Sequence, residues 1–209
     1  MPIFFFGDSI CFGQFVAPHQ IWVTRVAEHL ASVLGRELSI INTSLNGNTT
    51  RMALERMPFD VQSHGVDHIL IQFGMNDCNY WVTDRGLPRV SPAAFRANLA
   101  EIILRARTVG ARTVFLATNH PSARTQRFDH IDRTYEDGNL EYNAIIREVA
   151  RDSAILIDHE AVWRRELAAG VPLSSLLLAD GLHLSVSGHD LYYRTVAPVM
   201  AGALLAESP

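Results

Sequence analysis

The chain reads as an α/β protein, a three-layer sandwich with helices on both faces of a five-stranded, mainly parallel sheet. Three observations predict this. Five short apolar runs, each closed by turn residues, have the length and continuity of strands buried on both faces. Amphipathic helical segments lie between them, which is the alternation of βαβ units. Right-handed crossovers then place the helices on the two faces of one sheet.

The first strand is Ile3 to Phe6, stopped at Gly7-Asp8-Ser9-Ile10. Ile21 to Leu34 repeats apolar residues at Trp22, Val26, Leu30, Val33 and Leu34 and meets Gly35, a good helix terminator. Leu38 to Asn42 reads as the second strand, Thr49 to Met57 as a short helix and His68 to Phe73 as the third strand. Ser91-Pro92, a capping residue followed by proline at the first helical position, opens a helix whose buried stripe is Phe95, Leu99, Ile102, Ala106 and Val109. Thr113 to Ala117 is the fourth strand, Gly138 to Ala150 a helix and Ile155 to Ile157 the fifth strand. A last helix begins near Ser187, with a break or kink expected at Pro198. Two connections, 77–90 and 119–137, are longer than their crossovers need, and such loops often carry binding function.

With 209 residues, 48% of them hydrophobic and 19% charged, the chain suits one core, so a single domain over residues 1–209 is expected. The net charge of -4, with both signs scattered, offers no basic face for nucleic acid. All 18 basic residues are arginine, which excludes Schiff-base and phosphate-loop lysine chemistry. No apolar run approaches the roughly 18 residues of a membrane span, and no signal-like segment opens the chain. Cys11 and Cys78 are too few for a disulfide framework. These features read as a cytoplasmic protein; they leave the oligomeric state open.

Ser9 follows the first strand, at the end of the sheet where open α/β proteins bind ligands. Asp8-Ser9 there is equally what a turn or helix cap looks like, so a nucleophile needs partners. Asp180-Gly181-Leu182-His183 offers them: the Asp can hold the imidazole tautomer while the other ring nitrogen takes the serine proton. A developing oxyanion needs donors, and Gly47 after the second strand and Asn76 after the third can supply a backbone and a side-chain N–H. The Gly47 and Asn76 blocks are each ordinary turns alone, and an Asp and a His three apart occur by chance about once in every two chains of this size; Gly-Asp-Ser and Gly-x-Asn-Asp each arise at odds on the order of a few per cent, and their joint occurrence at successive strand exits is far rarer.

Gly7-Asp8-Ser9-Ile10, Asn46-Gly47-Asn48, Gly74-Met75-Asn76-Asp77 and Asp180-Gly181-Leu182-His183 resemble, in order and spacing, the four blocks of the SGNH or GDSL hydrolases. The resemblance implies a flavodoxin-like sheet, Ser9 as nucleophile, His183 as base, Asp180 as its orienter, and an oxyanion hole from Ser9 N–H, Gly47 N–H and Asn76 Nδ2. Leu184 departs from the family, many of whose members carry proline there. The expected activity is hydrolysis of a small-molecule carboxylic ester, short-chain or O-acetyl and conceivably on a carbohydrate, through an acyl-enzyme and without a cofactor. Thioesterase or lysophospholipase action on longer chains is the alternative, and a non-catalytic binding module the alternative of another class.

Other residues carry weaker signals. Tyr80 and Trp81, with Arg85 and Arg89, form either a wall for sugar rings or acyl chains or a loop that merely packs on the domain; Arg124, Arg127 and Arg133 share that ambiguity. Asp158-His159-Glu160 and Asp129-His130 with Asp132 contain metal-ligand types but read as polar loops, and no metal is required. A metal-dependent phosphoesterase would want more histidines near Asn76. Cys11 and Cys78, each two residues beyond a proposed site residue, read as buried thiols that could approach one another. His189 reads as helix surface or local structure.

Overall fold

Pro2–Gly7 (β1), Ser39–Asn42 (β2), His68–Gln72 (β3), Thr113–Ala117 (β4) and Ile155–Ile157 (β5) form one parallel sheet in the order β2-β1-β3-β4-β5 in the computed structural model, which describes residues 1–129 and 131–207. β1 is an interior strand: Phe4 lies opposite Ile41 of β2 on one side and Ile69 of β3 on the other. Every residue of β3 and β4 is buried, as in a sheet covered on both faces, whereas the edge strands β2 and β5 keep exposed positions. The first crossover leaves β1 on one side and the second returns on the other, so the switch in winding falls between β1 and β3. Ligands bind at such a switch, and Ser9 and Asn76 follow these two strands.

The helices are Ser9–Phe12 (α1), Trp22–Leu34 (α2), Thr50–Asp60 (α3), Pro92–Thr108 (α4), Tyr135–Ser153 (α5), His159–Ala168 (α6), Leu173–Leu176 (α7) and Val186–Ala206 (α8). α8 packs against α2 and α6, and α4 against α3 and α5. Ser91 caps α4 as expected, its side chain accepting from Ala94 N–H.

Several boundaries differ from the sequence reading. α5 starts before Gly138 because Thr134 and Asp137 form a reciprocal capping box that the glycine obscures. α8 runs unbroken through Pro198: burial of Val196, Ala197, Met200, Ala201 and Leu204 holds a helix that lacks one backbone donor. Val33 lies off the buried face of α2, which runs through Trp22, Val23, Val26 and Leu30. α6 and α7 are additional, and the Asp158 side chain caps α6 by accepting from Ala161 N–H. His189 belongs to the interior rather than the surface; its Nδ1 accepts from Trp22 N–H at 3.3 Å, and burial lowers its pKa to about 4.

The first turn of α8 lies hard against α7. A Cβ built on Gly188 would fall 2.2 Å from the Leu176 carbonyl oxygen, so no side chain fits there. Gly188→Ala is expected to push the two helices apart at a cost of about 2 kcal/mol. For a chain of this size that lowers the thermal midpoint by roughly 6 °C. Differential scanning calorimetry checks this, and an unchanged midpoint contradicts the packing account.

Candidate active site

Asp8 and Ser9 occupy the sharp passage from β1 into α1. The Asp8 carboxylate accepts from Ile10 N–H at 3.0 Å, and Gly13, in the left-handed conformation, ends the helix after one turn by donating to Ser9 O. Asp8 is therefore a helix cap, one of the two roles its sequence permits. Ser9, next in the chain, instead turns its hydroxyl toward the last block.

His183 Nε2 lies 2.9 Å from Ser9 Oγ, and His183 Nδ1 lies 2.5 Å from Asp180 Oδ2. The other Asp180 oxygen accepts from the backbone N–H groups of Leu182 and His183, each at 3.0 Å. Against the burial that would raise it, these hydrogen bonds from His183 and Leu182 hold the Asp180 carboxyl below its ordinary range. A carboxylate that stays ionised keeps the Nδ1–H tautomer and leaves Nε2 free to accept from the serine.

The turn carrying these two residues is pinned on several sides. Leu178 N–H donates to His183 O, Gly181 N–H to Leu178 O and Ser185 N–H to Leu176 O. Ala123 N–H donates to Gly181 O, and Arg124 Nε to Asp180 O at 3.1 Å, so the second long loop backs the turn.

From below, a buried chain of hydrogen bonds reaches the same turn. Cys11 Sγ donates to Gln72 Oε1 (3.1 Å), Gln72 Nε2 to Tyr192 Oη (3.0 Å), Tyr192 O–H to His120 Nδ1 (2.7 Å), and His120 Nε2–H to Leu182 O (2.8 Å). The directions are fixed because a carbonyl can only accept. Burial holds the His120 pKa down to about 3, so the ring stays neutral. The chain joins α1, two residues past Ser9, to the residue before His183.

The second and third blocks meet the first through named contacts. Leu45 N–H donates to Gly7 O, and Arg56 gathers Thr43 O, the Asn48 side chain and Asp60. Gly47 has φ +75°, a conformation that favours glycine, and a Cβ there would meet nothing, so backbone rather than space selects the residue. Asn76 Nδ2 donates to Asp8 Oδ2 at 3.2 Å, which engages one of its two N–H groups. Arg89 Nη1 reaches Gly47 O at 3.2 Å and Asn76 Oδ1 at 3.5 Å, so both blocks come within reach of one nitrogen.

Tyr80 and Trp81 line a cavity between the two long loops. The Tyr80 ring lies 5.1 Å from Phe128, and a cavity of about 160 Å³ is lined by Tyr80, Trp81, Val82, Arg127, Phe128 and Ile131. Trp81 is half exposed and carries the Arg89 guanidinium 4.3 Å from its ring centre. Arg85 is exposed and does not share that inward course. Arg127 pairs with Asp132 and Arg133 with Glu141.

The carboxylates of Asp158 and Glu160 are taken up by Arg147, which holds Asp158 through two nitrogens, while His159 stacks on Tyr192 at 3.7 Å. Asp132 is engaged by Arg127, and His130 lies outside the described residues. Cys11 and Cys78 are buried with separate acceptors, Gln72 and Met75, and burial pushes both thiols up. The sequence reading missed His120 and Arg56: a lone histidine after β4 and an arginine inside α3 carry no spacing that marks them.

Comparison with known proteins places the chain in a family. The chain belongs to the GDSL-like lipase/acylhydrolase family, whose profile matches residues 5–191. It is 25% identical over 194 residues to esterase TesA of Pseudomonas aeruginosa, covering 93% of this chain and 85% of that protein. It is 22% identical over 207 residues to an acetylxylan esterase of Geobacillus stearothermophilus, covering 92% and 90%. The crystal structure of a lipase/acylhydrolase from Enterococcus faecalis superimposes with a TM-score of 0.77 at 26% identity, over 97% of this chain and 96% of that one.

Asp77, next to Asn76, gives a pH test of the site's burial. Its Oδ1 accepts from Thr50 N–H and Oγ1 while Oδ2 is buried without a partner, and burial pushes the carboxyl from 3.8 to about 6. A carboxyl with a raised folded-state pKa favours the protonated native state, so its contribution to stability is lost as pH rises from about 4 to about 6. Asp77→Asn removes that loss. The midpoint of the variant minus that of the parent is expected to rise over this interval and level off above it, as read by thermal denaturation; a constant difference contradicts the assignment.

Proposed function

We propose that the protein is a serine esterase in which residues 1–209 act as one catalytic domain and Ser9 carries the acyl group. The observation that carries this is the continuous Ser9–His183–Asp180 hydrogen-bonded line at the switch point of the sheet. Ser9 Oγ attacks the ester carbonyl carbon while its proton passes to His183 Nε2, and Asp180 stabilises the imidazolium. The negative charge on the carbonyl oxygen falls to Ser9 N–H, Gly47 N–H and the free Asn76 N–H. His183 then returns the proton to the departing alcohol, leaving an acyl-enzyme, and activates the water that releases the acid and restores Ser9.

A short acyl ester, such as an O-acetyl group on a carbohydrate, is the substrate class this reading favours. It is supported by the half-exposed Trp81 beside Arg89 and by the similarity to an acetylxylan esterase. One observation favours longer chains: an apolar groove of about 630 Å³, lined by Phe12, Phe15, Val16, Ile21 and Leu45, runs from the end of α1. Phe15 is 70% exposed and meets the His183 ring edge-on at 5.2 Å, so the groove opens toward the cleft.

We place the protein in a reducing compartment, a reading supported by its two free buried thiols. No helix among the described residues is long and apolar enough to cross a membrane.

Hydrolysis of p-nitrophenyl esters from acetate to palmitate tests both levels. Ser9→Ala is expected to lower turnover at least a thousandfold. Asn76→Ala should lower it on the order of a hundredfold. Undiminished turnover by Ser9→Ala contradicts the serine mechanism, and absence of activity in the parent on every ester favours the binding module. A kcat/KM that peaks at acetate supports the short-chain reading, and one that peaks beyond octanoate the groove.

A further inference from the structure

The Asn76 amide is held between an acceptor on one side and a cation on the other. Its Nδ2 faces the Asp8 carboxylate at 3.2 Å and its Oδ1 faces the Arg89 guanidinium at 3.5 Å. Turning the amide over would set N–H against guanidinium and oxygen against carboxylate, donor to donor and acceptor to acceptor, so the pair selects one orientation. A cation on Oδ1 also draws electron density from the amide and strengthens the remaining N–H as a donor.

The same Arg89 nitrogen bonds Gly47 O at 3.2 Å, in the neighbouring block, and Arg89 is itself fixed. Its backbone N–H donates to Asn79 O, a bridge joins Tyr80 to Pro88 at the base of the loop, and the guanidinium lies against Trp81. A chain whose basic residues are all arginine uses here the one cation whose planar fork can serve two acceptors and an aromatic face together.

We propose that Arg89 is a positioning residue for the oxyanion hole: it fixes the orientation of the Asn76 amide, strengthens its N–H and ties it to the Gly47 turn. Its effect is on the transition state, because the amide meets full negative charge only when the tetrahedral intermediate forms. This rests on the serine-esterase reading.

The test uses p-nitrophenyl acetate, a neutral ester with no anionic group for an arginine to bind, and a trifluoromethyl ketone that forms an oxyanion on a reactive serine. Arg89→Met keeps the stem and removes the fork. It is expected to lower kcat about tenfold or more with KM within about twofold, and to raise the Ki of the ketone by a similar factor. Arg89→Lys, which restores charge without the fork, should fall between the variant and the parent. An unchanged kcat in Arg89→Met, or a rise in KM alone, overturns the proposal. If Arg89→Met loses its fold, the lysine variant decides: recovery of full kcat along with the parental thermal midpoint would make the role merely structural and overturn it. Ser9→Ala is assayed alongside, since activity surviving in that variant sinks the serine reading itself, whatever Arg89 does.

Discussion

One hydrogen bond, 2.9 Å from Ser9 to His183, joins residues 174 positions apart, and the rest of the site depends on its length. Each partner is set by its own local structure, and only the fold brings the two together. Ser9 is set by the abrupt end of β1 and the single turn of α1, His183 by a surface turn before α8. A turn on the surface is where mobility is expected, yet this one is held by backbone bonds on its own strand-like stem, by the second long loop, and by the His120 bond to Leu182 from beneath. That last bond closes a buried line from Cys11 to Leu182, so α1 and the turn are coupled through the interior as well as across the cleft. A fully satisfied buried network rigidifies what it connects, whereas a broken one leaves donors stranded. Burial keeps His120 neutral, with one ring nitrogen an acceptor, and the Leu182 carbonyl, which can only accept, fixes which nitrogen carries the proton.

Buried carboxyls and an arginine lie around Asn76. Burial pushes Asp8 up to about 7, against the hydrogen bond from Ile10, and Asp77 to about 6. Two buried carboxyls so close to an oxyanion would oppose it if both were ionised and uncompensated. Arg89, on the first long loop, opposes the rise at Asp77 with its positive charge. The same loop carries Trp81 outward, half exposed, with the Arg89 guanidinium against its ring.

Much of this was legible in the sequence because it rests on local rules. β4 and β5 have the boundaries their apolar runs announce, and Ser91-Pro92 caps α4 as its chemistry requires. The three blocks after β1, β2 and β3 were legible for a topological reason: a parallel sheet delivers successive exits to one edge, so chemistry placed there converges without further instruction. What was not legible depends on partners distant in the chain. Pro198 is tolerated because of packing on α2, His189 is interior because Trp22 faces it, and His120 matters because Leu182 and Tyr192 lie on either side of its ring. Arg89 was visible only as a cation near aromatics; its inward course toward Gly47 and Asn76 is a property of the folded loop.

The central claim is that Ser9 is the covalent nucleophile and His183 its base. Treatment with a fluorophosphonate followed by peptide mapping tests it most directly, because the reagent needs both an activated serine and a working oxyanion site. The account predicts a single stoichiometric adduct on the peptide bearing Ser9 in the parent, and its near disappearance in His183→Ala. Rapid esterase turnover by a preparation whose Ser9 stays unlabelled, or an adduct on another residue, would contradict it.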